Sequence, residues 1–196
     1  AAVSSAATGT TVPASTIATK TCPAAPTRTG RVLRVGPGES YSTIAAAAQD
    51  ARDDDTVEIV AGTYTADVAT WNQSRLTIRG VGGRPTLDAG GTSSQGKGIF
   101  VVNGTDVRIE GLQFANARVP DQNGAGIRME TGSLVVCDVV FVNNEEGILT
   151  GNAGDSTLEI HESQFVRNAF AYSGGQSHAM YIGRIARFVL MGSYVT

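Results

Sequence analysis

The chain has 196 residues, enough for one domain with a substantial core, and 41% of them are hydrophobic. Its formal net charge of -3 argues against a nucleic-acid-binding protein, which would carry a basic face to neutralise phosphates. No apolar run reaches the roughly 18 residues that a membrane-spanning segment needs, so no integral membrane protein is expected. Abundant Gly, at 24 residues, together with many Val, Ile and Thr favours strands joined by tight turns.

The first 30 residues consist mostly of Ala, Ser, Thr, Pro and Gly. Such a composition buries too little apolar surface to fold alone, so residues 1–30 are predicted to form an extended arm and residues 31–196 the folded domain. The chain begins at Ala1 rather than Met, which indicates either the mature end of an exported protein or a fragment boundary.

The two cysteines are Cys22, in this arm, and Cys137, far along the domain. In an exported protein they could form one disulfide bond that pins the arm along the body. Closing so long a loop would contribute about 4 to 5 kcal/mol by chain entropy. The alternative is a buried free thiol at Cys137 and an unpaired Cys22.

A helix and then a first strand are predicted after the arm. Ser42 is placed to cap a short helix in which Ile44, Ala48 and Ala51 fall on one face. The acidic run 53–55 ends the helix, and "TVEIV" begins the strand. A helix here would cover the open end of a core and protect the first sheet edge.

An internal repeat dominates the rest of the chain. Five segments align without gaps: "LTIRGVG", "VRIEGLQF", "LVVCDVVF", "LEIHESQF" and "FVLMGSYV". Their equivalent positions, at steps of 31, 27, 24 and 30 residues, are Ile78, Ile109, Val136, Ile160 and Leu190. Each step is a plausible length for one coil of a solenoid.

Further columns follow the same repeat. Five residues after the reference positions come Phe114, Phe141, Phe165 and Val195, and a third series contains Ile99, Ile127, Ile148 and Met180. Three short strands per coil predict a parallel β-solenoid, in which stacking buries columns that no single coil could bury. Asn144 and Asn168 share a column and are predicted to hydrogen-bond to each other along the axis.

The chain stops at Thr196 partway through a coil, which leaves a sheet edge without cover. Proteins usually protect an exposed flat sheet edge from pairing with another chain. We therefore expect the β-helix to be incomplete at its C-terminal end and the natural protein to continue past Thr196. The alternative is end-to-end association with a partner through this last coil.

The stretch "STIAAAAQDARDDDTVEIVAGTYTADV", followed by "LTIRGVGGRPTLDAGG", resembles the entry cap and first coils of the right-handed parallel β-helix superfamily, which includes pectate lyases, alginate lyases, epimerases and pectinesterases. The resemblance covers roughly residues 32–196. It implies an all-β fold, a right-handed parallel β-helix with a short N-terminal capping helix. It also implies a secreted, periplasmic or cell-surface protein whose partner is an acidic, uronate-containing polysaccharide.

The sequence departs from several of these families at residues on which their activity depends. Ala66 stands where pectinesterases carry an acidic residue after the Gly-Thr-Tyr turn, and no counterpart of their catalytic aspartates is found. The paired aspartates and Gly-His-Gly motif of polygalacturonases are missing, as is the calcium-binding aspartate cluster of pectate lyases. The resemblance therefore specifies the fold better than the function.

Cleavage of a uronate chain by β-elimination needs a group that neutralises the carboxylate, a base for the C5 proton and an acid for the leaving oxygen. C5 epimerisation needs the same proton abstraction. The column alignment brings candidates to one outer face, with Glu146 and His178 about 4.8 Å apart in successive coils. The predicted catalytic residues are His178, Tyr181 and Glu146, and the predicted substrate-binding residues are Arg128, Arg184 and Trp71.

Structural roles are the alternative for these residues, since a Glu–His pair often stabilises a turn. A second hypothesis for the whole protein is a non-catalytic carbohydrate-binding or adhesin-type scaffold, with Trp71 and Tyr181 as its aromatic platforms. His161 fits turn surface, and Lys97 fits a solvated loop. Ca²⁺ stays open as a cofactor because the turns around Asp121 and Asp155 have calcium-type oxygen groups, although such clusters are more often ordinary turns.

Overall fold

Residues 22–170 and 177–196 are described by the computed structural model, and residues 1–21 of the predicted arm lie outside this part. Three parallel sheets form the sides of the molecule. Sheet A contains β1 (Val32–Val35), β2 (Thr56–Val60), β5 (Thr77–Val81), β8 (Val107–Glu110), β11 (Ser133–Cys137), β14 (Thr157–His161) and β17 (Arg187–Met191). Sheet B contains β3 (Thr63–Thr65), β6 (Thr86–Asp88), β9 (Gln113–Ala115), β12 (Val140–Val142), β15 (Gln164–Val166) and β18 (Tyr194–Val195). Sheet C contains β4 (Ala69–Trp71), β7 (Gly98–Val102), β10 (Ala125–Met129), β13 (Glu146–Thr150) and β16 (Met180–Tyr181).

Each complete coil contributes one strand to each sheet, so a strand pairs with its equivalent in the next coil. All of these pairings are parallel. The chain is therefore a right-handed parallel β-helix, and the predicted fold class is confirmed.

The strand register confirms two of the predicted columns. In sheet A the paired residues are Ile78, Ile109, Val136, Ile160 and Leu190. In sheet B they are Phe114, Phe141, Phe165 and Val195. Except for Leu190 and Val195 in the last coil, all of these side chains are fully buried.

The third column is confirmed for Ile127, Ile148 and Met180 but is wrong at its first member. Phe100, not Ile99, pairs with Ile127. The reason is that all five residues of β7 are buried. A continuous apolar run of this kind has no alternation from which the register could be read.

Aromatic side chains stack along the inside of the β-helix. Ring centroids lie 5.4 Å apart for Trp71 and Phe100, 5.0 Å for Phe100 and Phe114, and 5.5 Å for Phe114 and Phe141. Phe141 and Phe165 follow at 4.6 Å in a stacked arrangement. Edge and offset-stacked contacts of this kind stabilise a core beyond the area that they bury.

The capping helix, α1 (Ile44–Asp50), packs against β1 and β4 at the first coil. Its N-cap is Thr43, not the predicted Ser42, because Thr43 has the extended backbone of a cap and its hydroxyl accepts a hydrogen bond from the Ala46 amide at 3.2 Å. Asp67 accepts from the first two helical amides, at 2.6 and 2.9 Å. Within residues 22–170 and 177–196, no helix has the length and apolarity to cross a membrane.

The predicted asparagine pair is confirmed. Asn144 Nδ2 donates to Asn168 Oδ1 and to the Phe114 carbonyl, both at 3.0 Å. Asn144 Oδ1 accepts from the Ala117 amide at 2.9 Å, and Asn168 Nδ2 donates to the Phe141 carbonyl at 2.9 Å. Both side chains are buried, so they satisfy backbone groups at a corner that water does not reach.

We expect Asn144→Ala to lower the free energy of unfolding by about 2 to 4 kcal/mol, because it leaves the Ala117 amide and the Phe114 carbonyl unpaired in the interior. Denaturant unfolding measures this loss. Asn103→Ala is the matched control, since it removes a solvent-exposed bond to Asn72 and should cost at most about 0.5 kcal/mol. Equal losses in the two variants would contradict a structural role for the buried pair.

Candidate functional site

An open cleft of about 320 Å³ lies on sheet C. Three residues on its floor, Arg128, Leu149 and Tyr181, pair with one another across β10, β13 and β16. This confirms the prediction that Arg128 and Tyr181 share a column two strands apart. Polar side chains that line the cleft include Asn123, Arg128, Glu130, Glu146, Asn152 and Tyr181.

Glu146 and His178 are in direct contact, as the column alignment predicted. Glu146 begins β13 and is only 1% exposed. Its Oε1 accepts a hydrogen bond from the His178 amide at 3.0 Å and lies 3.3 Å from His178 Nδ1. Its Oε2 is buried and has no hydrogen-bond partner within the described residues. A buried carboxyl with one free oxygen is typical of functional sites, so catalysis by this pair stays a prediction with structural support.

Burial raises the pKa of Glu146 to about 7 from an ordinary 4.5, and the hydrogen bonds and charge of His178 offset only part of this effect. The cause is the loss of hydration, which disfavours the ionised form. A carboxyl with a pKa near neutrality can exist in either protonation state under physiological conditions. Glu146 is therefore suited to hold or release a proton at the cleft.

Tyr181 and His178 lie side by side at the edge of the cleft. Their ring centroids are 5.7 Å apart. Tyr181 is 47% exposed, and the His178 side chain is 48% exposed. Both rings are thus accessible to a molecule in solution, whereas the carboxyl that contacts His178 is not.

Two cations share one carboxylate of the cleft lining. Lys97 Nζ lies 2.6 Å and Arg128 Nε 3.1 Å from the same Oε1 atom of Glu130. Burial raises the pKa of Glu130, but the hydrogen bond from Lys97 and the charge of Arg128 outweigh it and hold that pKa below its usual value. Glu130 is therefore ionised, and the group of three carries one positive charge in excess. This cluster was missed in the sequence, where Lys97 was expected in a solvated loop.

Two predicted substrate-binding residues do not line the cleft. Trp71 is fully buried and packs edge-on against Phe100, so the expected sugar-stacking platform is wrong. In β4 the side chains of Ala69 and Trp71 face inward, and Thr70, between them, is partly exposed. Arg184 is exposed beyond β16, and its amide donates to Asn152 Oδ1 at 2.9 Å. Its substrate-binding role stays a prediction.

The remaining candidates lie apart from this chemistry. His161 occupies its predicted column with Cys137 and Met191, but the expected turn surface is wrong, because His161 ends β14 and is buried, with Nε2 3.2 Å from Glu159 Oε2. Within residues 22–170 and 177–196, no group of three or more His, Cys, Asp or Glu side chains is arranged to hold a metal ion. Asn123 and Asn152, from the two turns considered for calcium, line the cleft instead.

We expect the pH dependence of stability to reveal Glu146. Between pH 4.5 and about 7 the folded protein holds a proton that the unfolded chain has released. The free energy of unfolding therefore falls as the pH rises through this window, at up to about 1.4 kcal/mol per pH unit and on the order of 3 kcal/mol in all.

Glu146→Gln cannot ionise and should lack this fall, so its stability relative to the original protein should increase between pH 4.5 and 8. Denaturant unfolding across this range is the measurement. Asp121→Asn, which removes an exposed carboxylate, should keep the original pH dependence. If the free energies of unfolding of Glu146→Gln and of the original protein changed in parallel with pH, the raised pKa of Glu146 would be contradicted.

No protein-family model matches the chain, and no curated protein sequence matches it. Among solved structures, the chain is similar to the pectin methylesterase from Aspergillus niger, with 12% identity and a TM-score of 0.44. The alignment covers 91% of this chain and 69% of that one. At this level of similarity nothing about activity follows. The fold is established by the three-sheet architecture, and the function has to be argued from the cleft.

Proposed function

We propose that the cleft binds a uronate-containing polysaccharide and acts on it at C5, by β-elimination or by epimerisation. The observation that carries this proposal is the buried carboxyl of Glu146, whose pKa lies near neutrality, in contact with His178 and beside Tyr181. The floor of the cleft spans three coils and is open to solvent, which suits an extended polymer better than a small enclosed ligand.

His178 is the proposed base. Its Nδ1 faces Glu146, which leaves Nε2 to take the C5 proton. The imidazolium that forms would then lie 3.3 Å from a carboxylate that is largely screened from water. A carboxylate in this position orients the ring and stabilises its positive charge. Tyr181, adjacent to His178, is the proposed acid for the leaving oxygen in elimination.

The excess positive charge at Arg128 and Lys97 is the proposed site for the uronate carboxylate. Abstraction of the C5 proton builds negative charge on this carboxylate, so a cation beside it lowers the barrier. Arg128 lies in the same column as Tyr181, on the cleft floor. The guanidinium can form two parallel hydrogen bonds to a carboxylate, which would fix the sugar relative to His178.

The alternative of a non-catalytic carbohydrate-binding scaffold depends on exposed aromatic surface. Burial of Trp71 removes one of its two platforms and leaves Tyr181 as the aromatic side chain of the cleft lining within the described residues. The acid–base pair therefore favours an enzyme. Export to a secreted, periplasmic or surface location and end-to-end association through the last coil stay predictions.

Turnover should be detected on at least one acidic polymer among pectate, alginate, hyaluronate, chondroitin and heparan-type chains, each tested with calcium and with a chelator. Ultraviolet absorbance of the unsaturated uronide measures elimination, and deuterium uptake at C5 in heavy water measures epimerisation. His178→Ala and Tyr181→Phe should lower kcat by at least about 100-fold, the usual contribution of a general acid or base.

Tyr194→Phe is the matched control for Tyr181→Phe, since Tyr194 is an exposed tyrosine of sheet B. It should retain full activity. A polymer that binds with measurable affinity but is neither cleaved nor exchanged at C5 would contradict the enzymatic proposal and favour the scaffold.

The activity should rise as the pH increases through about 7, because ionised Glu146 stabilises the imidazolium of His178 and protonated Glu146 does not. A pH profile of kcat/KM measures this rise. In Glu146→Gln kcat/KM should be low across the whole profile, because no carboxylate then stabilises the imidazolium of His178. A Glu146→Gln variant that keeps the original rate above pH 7 would contradict this role.

A further inference from the structure

Residues 22–30, here called the strap, cross the outer face of sheet A. At one end, Cys22 Sγ lies 3.9 Å from the carbonyl oxygen of His161, at the end of β14. Near the other end, Arg28 donates to Thr77 Oγ1 of β5 at 3.2 Å and pairs with Asp106 at 2.6 Å. The path from β14 to β5 covers three strand spacings, about 14 Å, which six residues of extended chain can reach.

The surface beneath the strap is polar but protected from water. Arg108 is 6% exposed although its guanidinium carries a charge, and it pairs with Glu110 at 2.6 Å. Cys137 is 2% exposed on the neighbouring strand. Cys22, Arg108, Glu110 and Cys137 line one cleft of about 300 Å³, so the strap closes over this part of the sheet.

Non-covalent contacts hold the strap weakly along its length. All residues from 23 to 27 are exposed, so they bury little apolar surface. Arg28, whose side chain is 5% exposed, donates to both carboxylate oxygens and the carbonyl of Asp106, but these bonds hold only one end of the strap. An ordered position for the strap over sheet A therefore calls for a stronger attachment near Cys22.

Cys22 on the strap and Cys137 at the end of β11 line the same cleft, and Cys22 Sγ lies 3.9 Å from the carbonyl oxygen of His161, the strand partner of Cys137. Both are free thiols in this structure. We propose that they form a disulfide bond that fastens the strap across the outer face of sheet A. This inference is independent of the proposed activity, since the cleft of Glu146 lies on sheet C.

The bond would form by exchange with a small-molecule disulfide such as oxidised glutathione. One protein thiolate attacks that disulfide and releases one glutathione thiol, and the second protein thiolate displaces the other. Two protein thiols are oxidised, and one small disulfide is reduced to two thiols that take up the two protons. Burial raises the pKa of both Cys22 and Cys137, so exchange in the folded protein is slow. The bond should form while the strap is still undocked and should then resist reduction.

The test is intact mass after refolding the full chain in a glutathione redox mixture. Under denaturing conditions, N-ethylmaleimide should add to neither cysteine before reduction and to both after reduction, and the protein should run as a monomer on a non-reducing gel. Addition to both thiols without reduction, or a covalent dimer, would overturn the proposal. Reduction by dithiothreitol should be at least about 10-fold faster in urea than in native buffer, and equal rates would contradict a bond shielded by the fold.

A disulfide bond that fastens the strap should raise the melting temperature of the protein, whereas an incidental bond should not. The oxidised protein should melt about 10 °C above the reduced protein, because the bond closes a loop of more than 100 residues. Cys22→Ser is preferred to Cys137→Ser, since Cys22 is only half-buried and its loss leaves the core intact. This variant should melt with the reduced protein whether or not oxidant is present. A bond that forms without raising the melting temperature would refute the fastening role.

Discussion

Parallel pairing of each coil with the next is the constraint on which the rest of this structure depends. Side chains alternate between the two faces of a strand, so a slip of one residue would turn an inward column to the outside. In sheet B a slip of one residue would turn the buried rings of Phe114, Phe141 and Phe165 to the outside. The same pairing fixes sheet C and thereby places Glu146 beside His178. The position of the site is thus a consequence of core packing in the neighbouring sheet.

The pair of Glu146 and His178 works against the stability that the core provides. Burial of a carboxyl with one oxygen unpaired is unfavourable, and the raised pKa of Glu146 expresses this cost. The asparagine pair of Asn144 and Asn168 is also buried and polar, yet its amides satisfy backbone groups on both sides. One buried polar group therefore reinforces the β-helix, whereas the other costs stability, as the proposed role of Glu146 would require.

The columns of stacked residues could be predicted from the sequence wherever the repeat was periodic. Contacts between residues of successive coils could then be predicted from their place in a column. The contact of Glu146 with His178 was found in this way. The predicted positions of Ile99 and Trp71 were wrong because their strands show no usable alternation of polar and apolar residues. β7 is apolar throughout, and β4 is too short for alternation to show that Trp71 faces inward. The link from Lys97 to Glu130 joins side chains 33 residues apart, and its formation depends on side-chain conformations that no repeat encodes.

The coils vary in length next to sheet C, which carries the cleft. Connections from sheet A to sheet B contain two to four residues, whereas those from sheet B to sheet C range from three, before β4 and β13, to 13, before β16. Loops of variable length on a rigid scaffold are where binding sites usually form. The connection before β13 is short, and Glu146 is the first residue of that strand. The connection before β16 is long, and its residue His178 contacts Glu146. Insertions at a single corner can therefore create a site without disturbing the stacked columns that hold the fold together.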